Sequence, residues 1–151
     1  MKSLVPVFAA RLLRTRWLAR APIGVYRSGF GFVFGRRFLM LEHTGRKSGL
    51  PRYVVLEVVD RPSPSEHVVV AGFGPRAQWY RNVLADPRVH ISTGRAARVP
   101  ARAVPLNDQD STRSLQRYAA RHPRAWTTLK TVIADLTEDD AVPPMVLLTR
   151  Q

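Results

Sequence analysis

Six short β-forming runs, joined mostly by tight turns, constrain this chain more than any other feature of it. The runs are residues 38–44, 52–59, 67–71, 89–93, 97–106 and 145–149, rich in Val, Ile, Leu, Tyr and Phe. Gly45-Arg46-Lys47-Ser48-Gly49 and Arg61-Pro62-Ser63-Pro64-Ser65 separate the first three. One helix, at 76–85, interrupts the first five runs, and two more, 108–121 and 123–136, precede the sixth. Parallel strands need a long crossover between each pair, and this spacing does not supply them. The expected fold is therefore α+β, a mainly antiparallel six-stranded barrel with flanking helices. Pro100 and Pro105 mark the fifth run as an edge or interrupted strand. One domain is expected over residues 38–151, preceded by a basic helix and connector at 1–37.

At 151 residues the chain is long enough for one buried core. It has no Cys, which excludes disulfides, cysteine-ligated metals and a thiol nucleophile. The four His (43, 67, 90 and 122) lack the short spacings of metal motifs. There is no Gly-x-Ser-x-Gly elbow, and no catalytic residue is assigned. The acids Asp135, Glu138, Asp139 and Asp140 read as a solvated helix end.

Charge narrows the partners. Lys+Arg number 24 against 11 Asp+Glu, a net +13, and 21 of the 24 are Arg. An anionic partner follows: nucleic acid, an acidic membrane surface, or a phosphorylated or carboxylated small molecule. The first 41 residues hold eight of the cations and no acid. Val5, Phe8, Ala9, Leu12 and Leu13 share one helical face with Arg11 and Arg14 opposite, and Trp17 follows. Such a helix can lie on an anionic bilayer or pack on its own domain. The arginines directly after the apolar start argue against a signal peptide. No run approaches a membrane span. The expected location is cytoplasmic, or peripheral at the inner face of the membrane through residues 1–20. Nucleic acid is disfavoured, because no strand face interleaves basic and aromatic residues.

Two local features could hold a ligand. In Thr44 to Arg52, the cations Arg46, Lys47 and Arg52 lie within seven residues on a glycine-flanked turn, with Ser48 as a hydroxyl donor. Glycines let backbone N–H groups approach an anion, and guanidinium forks suit phosphate or carboxylate. The spacing is not that of a P-loop. A solvated basic hairpin fits the same residues. The second feature is Ala71-Gly72-Phe73-Gly74-Pro75, a strand end of bare backbone, followed by Trp79-Tyr80-Arg81-Asn82. A helix beginning at Arg76 would offer its N-terminal N–H groups to negative charge. His43, just before the basic turn, reads as structural. Gly29-Phe30-Gly31 fails the dinucleotide fingerprint.

Leu41 to Arg52 with Thr44-Gly45-Arg46-Lys47-Ser48-Gly49, then Val68 to Gly74, then Trp79-Tyr80-Arg81-Asn82 running on to Val89, resembles the actinobacterial deazaflavin (F420)-dependent nitroreductase family. The similarity covers about residues 38–106. It implies a split β-barrel, coenzyme F420, and hydride transfer from reduced F420 to a quinone, nitroaromatic or other electron-poor acceptor. F420 is a flat ring carrying a phosphodiester and a glutamate tail. The resemblance implies that Arg46, Lys47, Ser48 and Arg52 grip the anionic part. Gly72, Phe73 and Gly74 would border the ring, with Trp79 and Asn82 shaping that loop. Candidates for the substrate side are Trp17, Tyr26, Tyr118 and Trp126. Better-known members carry Ser-Lys where this chain has Gly72-Phe73, so that hydroxyl and cation are missing. Split barrels often dimerise, so a homodimer is an expected partner. The competing expectations are a non-catalytic basic membrane- or anion-binding module, and an FMN-binding oxidoreductase on the same barrel.

Overall fold

The computed structural model describes residues 23–27, 35–71, 74–136 and 143–151. The proposed amphipathic helix at 1–20, with Trp17, and the Gly72-Phe73 pair lie outside the described residues. Residues 23–27 are helical. The strands are β1 (Phe38–Thr44), β2 (Pro51–Asp60), β3 (Glu66–Val70), β4 (Arg88–Thr93), β5 (Ala96–Pro105) and β6 (Met145–Arg150). The helices are α1 (Gln78–Ala85), α2 (Asp108–Arg121) and α3 (Pro123–Leu136). The strands close into a barrel in the order β1-β2-β3-β6-β5-β4, with every pair antiparallel. This is the architecture expected from the spacing of the runs.

Alternation along the strands builds two cores. Leu39 and Leu41 of β1, Val69 of β3, Val89 and Ile91 of β4, Ala101 and Ala103 of β5 and Val146 and Leu148 of β6 fill the barrel, with Trp79 and Val83 of α1. Fully burying one such aliphatic side chain contributes about 1.5–3 kcal/mol. The opposite faces of β2, β3 and β6 present Val59, Val68, Val70 and Met145, and α2 covers them with Leu115 and Tyr118. Asn107 caps α2, its Oδ1 accepting from the Asp110 N–H at 2.8 Å, and Pro123 opens α3.

Two local expectations change. The helix after Gly74 starts at Gln78 rather than Arg76, because residues 74–77 form turns: Gly74 N–H donates to the Ala71 carbonyl, and Ala77 N–H to that of Gly74. The N-terminal amides expected beside Arg76 are thus not helical there. β5 is paired on both sides instead of lying at an edge. Closure leaves no edge, and Pro100 is accommodated at the end of the β5–β6 pairing. Its carbonyl accepts from Gln151 N–H at 2.9 Å, so the N–H it lacks would also have faced that way, not toward β4.

Candidate cofactor site

The basic turn between β1 and β2 closes on itself. Gly45 N–H donates to the Leu50 carbonyl and Gly49 N–H to the Gly45 carbonyl, both at 2.8 Å. Gly49 has φ +70°, a left-handed conformation costly for other residues. A Cβ on Gly45 would stand 2.6 Å from Ser48 Oγ. Ser48 Oγ accepts from Leu50 N–H at 3.2 Å, so the hydroxyl also shapes the turn.

Asn82 ties this turn to α1. Its Oδ1 accepts from Arg46 twice, from the backbone N–H at 3.1 Å and from Nη1 at 2.8 Å. Those two donors fix the amide orientation, so Nδ2 donates to His43 Nδ1 at 3.1 Å. His43 is then the neutral tautomer with its proton on Nε2. Burial, reinforced by the Arg52 charge, pushes its pKa down to about 4. His43 and Asn82 are both buried.

The turn, β2 and α1 enclose a cavity of about 800 Å³. Arg27, Arg46, Lys47 and Arg52 line it, and no carboxylate does so among the described residues. Ile23, Val54, Ala77 and Trp79 supply apolar wall. Trp79 is nearly buried and meets Tyr80 edge-to-face, 6.0 Å between centroids. The Arg27 guanidinium lies 4.8 Å from the centre of the Tyr53 ring. A cationic end and an apolar wall in one cavity suit an amphiphilic anion.

The sequence of residues 19–137 matches the family model described as F420H(2)-dependent quinone reductase. The chain belongs to that family. A Mycobacterium tuberculosis protein provisionally named as an F420H(2)-dependent quinone reductase, Rv3178, is 36% identical over 89 residues, spanning 58% of this chain and 73% of its own. Two solved structures share the fold at 24% identity. One, described as a domain-swapped dimer, has a TM-score of 0.58 over 95% of this chain and 98% of its own. The other, an F420-H2 dependent reductase, has a TM-score of 0.55 over 76% and 95%. The family resemblance, the split barrel and F420 dependence are therefore borne out, and the family's activity is oxidoreduction of quinones.

The donor set fits the cofactor: cationic forks and a primary amine for a phosphodiester and carboxylates, beside apolar wall for a flat ring. The fold brings Arg46, Lys47, Ser48, Arg52, Trp79 and Asn82 together at the cavity. Gly74, φ +83°, closes the turn leading to α1. Tyr26 is buried, on the helical segment that contributes Ile23 and Arg27 to the wall. Tyr118 and Trp126 lie elsewhere: Tyr118 is in the α2-covered core with its OH donating to Glu57 Oε1 at 2.8 Å, and Trp126 packs against the same cluster. Sequence reasoning missed Arg27 and His43 as cavity residues. Arg27 is one cation among many, and its place depends on tertiary packing. The position of His43 directly before the turn was the signal for the second.

Proposed function

We propose that this cavity holds reduced F420 and that the chain catalyses its oxidation by a quinone, with nitroaromatic and other electron-poor compounds as further acceptors. The observation that carries the site assignment is a large cavity with four cations, no carboxylate among the described residues and an apolar wall. Arg46, Lys47 and Arg52 bind the phosphodiester and glutamate tail. Each shielded charge-assisted bond contributes about 1.5–3 kcal/mol. Ser48 keeps the turn in register, and Asn82 holds Arg46. Gly72, Phe73 and Gly74 border the ring, beside Trp79.

Bound F420H2 supplies a hydride from a ring carbon, so the chain needs no metal or thiol of its own for this step. The protein's part is to align the donor and acceptor and to exclude water. His43 is neutral at physiological pH and presents no imidazolium to the cavity. Its role is to accept from Asn82 and so fix Arg46.

A lipid-soluble quinone gives the acid-free, Arg-rich N-terminal region a purpose, which is to bring the chain to an anionic membrane surface through residues 1–20. None of the described helices is long and apolar enough to cross a membrane. A homodimer is the assembly this reading expects, given that one fold relative is a domain-swapped dimer.

The test is a fluorescence titration with F420 at low salt, run beside FMN. Binding at micromolar concentration or tighter is expected for F420 and not for FMN. Arg46→Ala and Arg52→Ala should each weaken it at least tenfold. No detectable F420 binding sinks the proposal. Tight FMN binding would favour an FMN-dependent oxidoreductase instead.

A further inference from the structure

A separate, smaller cavity lies near the other end of β2, where that strand meets α2 and the residues preceding β1. Its volume is about 340 Å³. Arg36, Arg37, Arg61 and Arg121 line it, against two carboxylates, Glu57 and Asp60. Both carboxylates are already engaged. Asp60, its side chain 1% exposed, accepts from Arg61 N–H and Arg121 through Oδ1, and from Arg117 and Ser114 through Oδ2. Glu57 accepts from Arg37 and from Tyr118 OH.

Arg36 and Arg61 have no carboxylate partner among the described residues. Arg61 donates to the Arg36 backbone carbonyl, and both residues line the cavity. Burial, and then the Arg36 charge, holds the Arg61 guanidinium below its ordinary range. Arg61, half-buried, has lost part of the solvation and all of the carboxylate pairing that normally stabilise such a cation, and the exposed Arg36 adds a second charge at the same opening. A bound anion would restore both.

We propose that this cavity is a second anion site that takes a phosphate group, with Arg36 and Arg61 as the binding residues. Asp60 and Arg121 are positioning residues that frame the opening. The small volume suits a phosphate with little attached to it. Arg52 and Asp60 stand eight residues apart on one strand, roughly 25 Å at an extended rise, so Arg52 of the first cavity and Arg61 of the second cannot grip the same phosphate. The phosphate could come from a soluble phosphorylated metabolite or from a lipid headgroup, and both present the same oxygens to guanidinium forks. The inference does not rest on the assignment of the F420 site.

The experiment uses the full chain with Arg46→Gln and Arg52→Gln, which weakens phosphate binding at the basic turn. Inorganic phosphate is titrated at low salt and followed by phosphorus NMR and calorimetry. Retained binding is expected, and adding Arg36→Gln and Arg61→Gln should weaken it at least tenfold. Arg36→Gln alone, at an exposed position, keeps the test open if the Arg61 change impairs folding, and should weaken binding several-fold. Sedimentation with phosphatidic acid vesicles separates the sources. Co-sedimentation lost with Arg36→Gln supports the site with a headgroup as its ligand. Phosphate binding with co-sedimentation absent, or unchanged by Arg36→Gln as attachment through residues 1–20 would make it, supports it with a soluble ligand. Three results overturn the proposal: no binding at millimolar phosphate, binding already abolished by the Arg46 and Arg52 changes, or binding indifferent to Arg36 and Arg61.

Discussion

Mild acid should destabilise this fold through two buried imidazoles. His43 and His67 are 5% and 1% exposed, and burial, as the largest cause, pushes each pKa down to about 4. Positive neighbours add to it, Arg52 for His43 and Arg61 with Arg150 for His67. The unfolded chain protonates near 6.5 and the folded chain only near 4, so between those values the unfolded state binds more protons. Stability is therefore fully present above about pH 6.5, falls as pH drops toward 4, and loses nothing more from these groups below that. Going from pH 7 to pH 5, each ring costs about 2 kcal/mol and the pair about 4 kcal/mol. In urea that lowers the unfolding midpoint by about 2 M for a domain of this size. The assay is urea unfolding at both pH values, followed by tryptophan fluorescence. His67→Leu should remove about half of the loss. Because His67 Nδ1 has no hydrogen-bond partner among the described residues, it should cost little at pH 7. An unchanged midpoint between pH 7 and 5, or a full loss retained in His67→Leu, refutes the reasoning.

Further outcomes follow from single contacts. Asn82→Ala removes the acceptor of two Arg46 donors and the donor to His43, and should cost about 2 kcal/mol in urea stability. It should also weaken F420 binding roughly tenfold in the fluorescence titration, an effect a purely structural loss far from the cavity would not produce. Gly49→Ala, at φ +70°, should lower stability by about 1–2 kcal/mol on thermal unfolding. Asp60→Asn leaves Arg117 and Arg121, both about half exposed, without their buried partner, and should cost about 2–3 kcal/mol in urea. Burial raises the Asp60 pKa, but the Arg117 hydrogen bond and the Arg117 and Arg121 charges outweigh that and hold it low. Its contribution is thus lost only as pH falls below the ordinary carboxylate range, beneath the histidine window.

The barrel was legible because period-two patterning and turn residues are local. β1 begins with the apolar run Phe38 to Leu41 and ends at the Gly45–Gly49 turn, which is visible as letters. Closure was not local. Pro100 looks like an edge marker until β6 is known to end beside it. The basic turn could be read as an anion site because three cations and two glycines are close in sequence. Arg27 could not, since 19 residues separate it from Arg46 and tertiary packing brings it to the cavity, with its guanidinium over Tyr53. Tyr118 fits a substrate site by residue type, but α2 turns it onto Glu57 and the outer core.

The net charge of +13 becomes informative once the acids are placed. Glu42, Glu57, Asp60 and Asp86 are each committed to a nearby arginine: Arg98, Arg37, the Arg117–Arg121 pair and Arg88. Apart from those of the buried Asp60, such exposed pairs contribute little to stability, yet all of them remove carboxylates from circulation. Of the cations left without a carboxylate among the described residues, six line two cavities, Arg27, Arg46, Lys47 and Arg52 at one and Arg36 and Arg61 at the other, while Arg76, Arg81, Arg95, Arg102 and Arg113 line neither. Spread over a surface, such charges would serve solubility. Held in concave sites beside apolar or half-buried groups, they repel one another and gain from a bound anion. Salt should therefore act on ligand binding more than on the fold. Raising it from 50 to 300 mM should weaken F420 binding by an order of magnitude and shift the thermal midpoint of the free chain upward or not at all, because screening relieves the repulsion that the ligand otherwise neutralises. A lower midpoint of the free chain in high salt would show that attractive pairs, not uncompensated cations, dominate its electrostatics.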